Sequence, residues 1–322
     1  MQEVARPIGA KAAGAGAGVE CWVCRSGDTH AWKERSAATR LTPEDFRITD
    51  HQYGRTLALL KCRQCGFIFA DGDDLQRLTT LYELLDDVEY EQTQDTRLLQ
   101  FQWLLDHALR HAPGARTLLD IGAGVGLLVA EARRRGLDAV GVEPSRALTA
   151  AAERVNAVNL LQGVFPHPAL AGRRFDVVCL VDIIEHVAQP VELLRACAAA
   201  LNPGGVLVVV TPDVESVPAR ILGRRWWHFR VAHVCYFSRA SLGRAMQAAG
   251  LRPVRWLRAK WFFRAHYLTE RVAEYLPIRR LIDWTRGRRG LARLHDQVIP
   301  LNLHDSWMTI ASGDAGPAEG KR

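Results

Sequence analysis

The chain has 322 residues, of which 48% are hydrophobic, enough for one large packed core and one small one. Its 42 lysines and arginines outweigh 35 acidic residues for a net charge of +7, which permits an anionic partner without requiring one. No apolar run approaches the ~18–20 residues that span a bilayer, which excludes a membrane-spanning helix within these residues.

Residues 1–18 are rich in alanine and glycine and read as a disordered lead-in without the apolar core of a signal peptide. Cys21 and Cys24 form one C-x-x-C pair, Cys62 and Cys65 a second, followed by Gly66. Each pair offers two thiolates from one tight turn, and four thiolates make a closed, structural zinc site. A redox pair would open a helix in a thioredoxin-like unit, and neither pair does so. The run 57–60 leads into the second pair as a strand. Seven cysteines suit a reducing compartment, and Cys179, Cys197 and Cys235 read as small core residues. Residues 80–111 carry leucines at helical spacing, stopped by Pro113 and Gly114. They predict helices that link the cysteine segment to the next domain and lid a pocket.

The run Thr117–Ile121 predicts a buried parallel strand. Gly122, Gly124 and Gly126 follow, then a helix from 127 and a strand over 139–142 closed by Glu143. Glycines let bare backbone approach a ligand, and a carboxylate at the next strand end accepts hydrogen bonds from ribose hydroxyls. The G-x-G-x-G spacing, with Asp120 before it, differs from the G-x-G-x-x-G of a pyrophosphate cradle. An acidic strand end suits the ammonium and sulfonium of S-adenosylmethionine instead. Ser145 should cap a helix through residue 155. A third strand is expected over 158–161, a fourth over 176–181, then a helix opened by Pro190. A turn at 202–205, a strand over 206–210, a helix from Ser238 or Ser241 to Gly250 and a strand over 251–257 complete the pattern; residues 306–311 supply a seventh strand. The intervening 259–304 form a basic, aromatic-rich insertion. From Arg252 to Arg293 there are twelve lysines or arginines against three acidic residues. Such a segment suits an anionic membrane surface, a nucleic acid, or a solvated helical cap.

The segments 120–126, 141–145, 175–178, 182–187 and 201–205 stand in the order and spacing of the class I S-adenosylmethionine-dependent methyltransferases, and the chain resembles that family over about residues 113–257 plus the returning strand. The resemblance implies an α/β fold. It is a Rossmann-like, seven-stranded, doubly wound sheet with a small N-terminal zinc-binding segment and a helical insertion, its last strand antiparallel between the fifth and sixth. The implied organisation is a lead-in (1–18), zinc-binding segment (19–72), helical linker or lid (73–112), methyltransferase domain (113–258), basic helical insertion (259–304), last strand (305–314) and tail (315–322). The cofactor, S-adenosylmethionine, is expected on Asp120, Gly122, Ala123, Gly124, Gly126, Glu143, Pro144, Gly163, Val164 and Asp182, with Phe165 packing near the adenine, and the resemblance places Tyr82, Tyr90 and Gln94 as pocket contacts. Zinc is expected on Cys21, Cys24, Cys62 and Cys65.

An acceptor hydroxyl or acidic carbon needs a base. His186 stands at the end of the fourth strand as that base, with Glu185 orienting it. His233 and His228 are alternatives, and Trp226, Trp227, Tyr236 and Phe237 are expected to hold a sugar face or apolar tail. A four-cysteine segment ahead of the catalytic domain resembles bacterial methyltransferases of surface-sugar and secondary-metabolite pathways. It implies a sugar, lipid-linked glycan or secondary-metabolite acceptor in the cytoplasm, with peripheral contact at the inner membrane face through 259–304. The alternatives are an RNA methyltransferase with an N-terminal zinc finger, against which no Asn- or Asp-Pro-Pro-Tyr motif is found, and a non-catalytic module that binds the cofactor and docks a partner.

Overall fold

The computed structural model describes residues 19–47, 53–87, 94–269 and 297–313. The N-terminal segment folds as three short antiparallel strands, β1 (Thr29–Lys33), β2 (Leu59–Cys62) and β3 (Ile68–Ala70). Helices α1 (Leu78–Glu83) and α2 (Gln94–His111) follow. The alternating part runs β4 (Thr117–Ile121), α3 (Leu127–Arg134), β5 (Asp138–Glu143), α4 (Arg146–Asn156), β6 (Leu161–Gln162), β7 (Phe175–Val181), α5 (Pro190–Ala199) and β8 (Leu201–Pro212). The chain continues through α6 (Val217–Leu222), β9 (Cys235–Tyr236), α7 (Arg239–Ala248), β10 (Leu251–Arg258), β11 (Trp261–Arg264), β12 (Val298–Leu301) and β13 (Ser306–Gly313).

Seven strands make the main sheet in the order β10-β13-β8-β7-β4-β5-β6. From β8 through β6 neighbours are parallel, while β13 lies antiparallel between β8 and β10, as expected. Both faces are covered: residues 177–180 of β7 and 207–209 of β8 are fully buried. That two-sided burial is why these strands read as unbroken apolar runs. Ser145 caps α4 by accepting from the Leu148 amide at 3.1 Å, and Ser238 caps α7 in a reciprocal bond with Ser241.

Two elements differ from their predicted bounds. The third parallel strand is only Leu161–Gln162, because the Val158 amide closes the end of α4 on the Ala152 carbonyl at 3.2 Å. The expected turn at 202–205 loops out within β8: Phe175 pairs with Leu201 and Val177 with Val206, so the residues between bulge from the ladder.

The N-terminal segment is not a free-standing module. Strand β9, from the loop after β8, adds to its sheet, giving the order β1-β2-β3-β9 with Ile68 opposite Tyr236 and Phe69 opposite Cys235. Phe67 stacks on Phe69 and contacts Phe237, joining the cysteine segment to the core beneath β7 and β8. The insertion enters and leaves as a two-stranded ladder, β11 against β12, rather than as helix. Helical turns begin at 265, but 270–296, which carry most of the basic residues behind the membrane and nucleic-acid expectations, lie outside the described residues. Among the described residues no helix is long and apolar enough to cross a membrane.

Candidate active site

A cavity of about 1650 Å³ lies over the carboxyl ends of β4 to β7. It exceeds the roughly 300–1,000 Å³ of a single small-molecule site, so it has room for two ligands. One half is built by the loops after β4, β5, β6 and β7. Gly122 has φ of 73°, and a Cβ there would stand 2.0 Å from Cδ1 of Ile183, so glycine alone lets the turn pass under that side chain. Buried Glu143 accepts from the Gly124 amide at 2.8 Å and the Ser145 amide at 2.9 Å. Burial pushes its carboxyl up to about 7, against the lowering effect of those two bonds. Pro144, Gly163, Val164 and Phe165 continue this wall, and Asp182 ends it, 3.7 Å from Arg97 of α2. The glycine turn, the carboxylate at a strand end and the open strand termini fit a nucleoside.

The other half gathers residues far apart in sequence. His186 follows β7, and its Nδ1 lies 2.9 Å from the Ala232 carbonyl and 2.5 Å from the Tyr82 hydroxyl of α1. A carbonyl only accepts, so Nδ1 carries the proton and Nε2 keeps the lone pair. Burial drives His186 down to about 4, helped by Arg230 and opposed by the Ala232 bond. Glu185 is buried and well above the usual carboxylate range, chiefly through burial and then Asp182. One of its oxygens accepts from Thr211 at 2.9 Å; the other has no hydrogen-bond partner among the described residues. His233 is buried, its Nδ1 has no hydrogen-bond partner among the described residues, and its ring meets that of His186 edge-on at 4.7 Å. Beside it, His228 Nε2 stands 3.2 Å from Asp305, which also accepts from Trp227 Nε1 at 2.9 Å. Trp261, Phe262, Phe263, Leu301 and Leu303 give this half an apolar side.

The four thiols of Cys21, Cys24, Cys62 and Cys65 converge to within 4.8 Å of one another. Cys21 and Cys65 sulfurs are 3.6 Å apart, Cys24 and Cys62 3.5 Å, and none is disulfide-bonded. Four thiols on two knuckles are the donor set of a tetrahedral, closed metal site.

A methyltransferase-domain family model matches residues 90–255, just over half of the chain. The chain belongs to that family. A ubiquinone biosynthesis O-methyltransferase of Azorhizobium caulinodans is 37% identical over 155 residues, 44% of this chain and 61% of that protein. One from Caulobacter vibrioides is 38% identical over 112 residues, 33% of this chain and 44% of that protein. The chain therefore spans only about half the length of these relatives. The structure of a methyltransferase from Thermotoga maritima, titled a possible histamine N-methyltransferase, aligns with 70% of this chain and 95% of its own at a TM-score of 0.44 and 20% identity.

The placement of this methyltransferase-domain chain's expected site residues is mixed. Gly122, Gly124, Glu143, Pro144, Gly163, Val164 and Asp182 line the cavity; Asp120, Ala123 and Gly126 belong to β4 and the turn after it but do not line it. Asp120 does not itself line the cavity but is buried next to it, within the field of cavity-lining Glu143 and Arg97. It is pushed up to about 7 by burial and then by Glu143, with Arg97 opposing, so its influence on a ligand is through that shared field. Glu185, His186 and His233 do meet, but Glu185 bonds Thr211 and it is Tyr82 with the Ala232 carbonyl that orients His186. Gln94 accepts from Asn156 at 2.9 Å instead of lining the cavity, where α2 presents Thr96, Arg97 and Gln100. Tyr90 lies outside the described residues. Trp226, Tyr236 and Phe237 are core side chains, not acceptor contacts, because the loop that carries them packs onto the cysteine segment. Sequence reasoning missed Asp305 and Arg97. Neither lies in a motif, and their only sequence signal is a charge beside an apolar strand or helix.

Proposed function

We propose that the protein transfers a methyl group from S-adenosylmethionine to a hydroxyl of a small molecule with an apolar or aromatic body. The observation that carries this reading is the joined cavity, in which a half lined by the glycine turn and the strand-end carboxylate Glu143 is continuous with a half lined by histidines and aromatic residues. S-Adenosylmethionine supplies a methyl already activated on a sulfonium. The protein's own work is alignment, exclusion of water and removal of the acceptor's proton. Glu143 would hold the ribose hydroxyls, Gly163 and Val164 with Phe165 the adenine, and the turn at Gly122 and Gly124 the amino-acid end. The similarity to O-methyltransferases supports oxygen as the acceptor atom. A lipid-linked glycan or secondary-metabolite intermediate falls in this class; a bare sugar would leave Trp261, Phe263, Leu301 and Leu303 uncovered.

To the four thiols we assign a structural zinc ion. Its role is to hold β2 and β3, and through β9 the acceptor loop, in place.

The test uses the purified chain, methyl-labelled donor and fractions of a source-cell extract. Label in a lipid or aromatic small-molecule fraction is the expected result. Label in RNA would replace this reading with the RNA methyltransferase, and S-adenosylhomocysteine binding with no label in any fraction would replace it with a non-catalytic module.

A further inference from the structure

We propose that His228, held by Asp305, is the base that takes the acceptor's proton, and that His186 is a positioning residue. This rests on the methyl-transfer reading above. Asp305 is buried in the turn between β12 and β13, where its carbonyl accepts from the Asp213 amide at 2.8 Å. Burial pushes its carboxyl up, but the bonds from His228 and Trp227 outweigh that and hold it below the usual range. An ionised carboxylate only accepts, so the His228 proton sits on Nε2 and the lone pair on Nδ1. No described protein group bonds Nδ1. The ring is clamped, edge-on to Trp226 at 4.9 Å and stacked on His233 at 5.9 Å. A buried carboxylate thus holds an imidazole that lines the cavity, the pairing of a general base with the group that orients it.

The carboxylate partner decides between the histidines. His186, His228 and His233 all line the cavity that Asp182 borders at the end of β7, but His228 is the one whose ring meets a buried carboxylate, Asp305, at 3.2 Å. His186 instead gives its proton-bearing nitrogen to the Ala232 carbonyl and the Tyr82 hydroxyl, with no ionised carboxylate bonded to it. A buried imidazole without such a partner resists the positive charge that proton transfer creates. The titratable groups facing His228 are Asp305 from the turn before β13, Asp182 from β7 and His233 from its own loop, with Arg97 of α2 beyond Asp182.

In the step itself the acceptor O–H bond breaks and its proton passes to Nδ1 of His228. The oxygen's electron pair forms the new O–C bond, and the C–S electron pair leaves with sulfur. Asp305 stays ionised and balances the imidazolium.

The experiment uses the full, zinc-loaded chain, with the labelled fraction from the extract assay as acceptor. His228→Gln should lower turnover by about 100-fold or more, the range of general-base catalysis, and leave S-adenosylhomocysteine affinity unchanged. Asp305→Asn should lose a comparable factor and shift the acidic limb of the kcat/KM profile to lower pH, while Asp305→Glu restores most of the rate. Nitrogen-15 spectra of the histidines should show His228 as the Nε2–H tautomer in the unmutated chain. Turnover of His228→Gln within threefold of the parent, an unmoved profile in Asp305→Asn, or an Nδ1–H tautomer would overturn the assignment and leave methyl transfer standing. A parent chain that binds S-adenosylhomocysteine but labels no fraction would overturn the methyl-transfer reading and this inference with it. If the variants do not fold, the tautomer of the parent chain decides.

Discussion

The two halves of the cavity are built in opposite ways. The nucleoside half comes from four successive strand ends, each followed at once by its contacting residues: Gly122 after β4, Glu143 closing β5, Gly163 after β6 and Asp182 after β7. The acceptor half draws Tyr82 from α1, His186 from the loop after β7, His228 and His233 from the loop after β8, and Asp305 from the turn before β13. It is further braced by the cysteine segment, since the Ala70 amide donates to the Val234 carbonyl at 2.7 Å and the Val234 amide to the Glu185 carbonyl at 2.9 Å. Local chain geometry makes the first half, and long-range packing makes the second. The two should therefore fail separately.

The largest effect is expected from Cys62→Ser. Zinc content should fall to zero, and the melting temperature should drop by about 10 °C or more, given ~2–4 °C per kcal/mol for a chain of this size. S-Adenosylhomocysteine affinity measured by calorimetry should stay within tenfold of the parent. Complete loss of that affinity would show that the halves are one cooperative unit, and no zinc in the intact protein would remove the metal from the account.

Glu143→Ala attacks the other half. Two hydrogen bonds to a charged group, at about 1.5–3 kcal/mol each, put the expected loss of S-adenosylhomocysteine affinity at about 100-fold or more. Micromolar binding retained in calorimetry would refute this nucleoside pocket. The histidine resonances of the acceptor half should be unmoved.

Tyr82→Phe sharpens the contrast more gently. It removes the hydroxyl shared by His186 and the Ala232 carbonyl, a loss of about 1 kcal/mol, or roughly fivefold in turnover. Cofactor affinity should not change; a parallel fall in both would mean that α1 closes over the nucleoside half as well.

The smallest effect is in pH. Glu143 and Asp120 are both pushed up to about 7, above the ordinary carboxylate range. The folded chain then binds more protons than the unfolded one between that range and 7, so these groups' contribution to stability is lost as pH rises through 7. Ligand binding runs the other way, because ribose hydroxyls donate best to ionised Glu143. S-Adenosylhomocysteine affinity should rise several-fold from pH 6 to pH 8, and a flat profile by calorimetry would mean that Glu143 is already ionised at the lower pH.

Legibility followed the same division. The parallel strands could be read because burial on both faces leaves unbroken apolar runs, and the residues lining that half of the cavity because each lies at or just beyond the end of its strand. The third strand was misplaced because Val158 is equally apolar whether it pairs in a sheet or closes a helix. Trp226 and Tyr236 looked like ligand contacts because aromatic composition is the same in a binding loop and in a core.

By itself the sequence determined the parallel sheet, the glycine turn opposite Glu143 and the two thiol pairs, since each depends on side-chain periodicity or on spacing within a few residues. Only the tertiary structure decided that the cysteine segment shares a sheet with the acceptor loop, that Tyr82 rather than Glu185 holds His186, and that Asp305 stands against His228. Tyr82 and His186 stand 104 residues apart and His228 and Asp305 77, while Ile68 pairs with Tyr236 from far along the chain. Their geometry exists only once the main sheet has brought its loops to one edge.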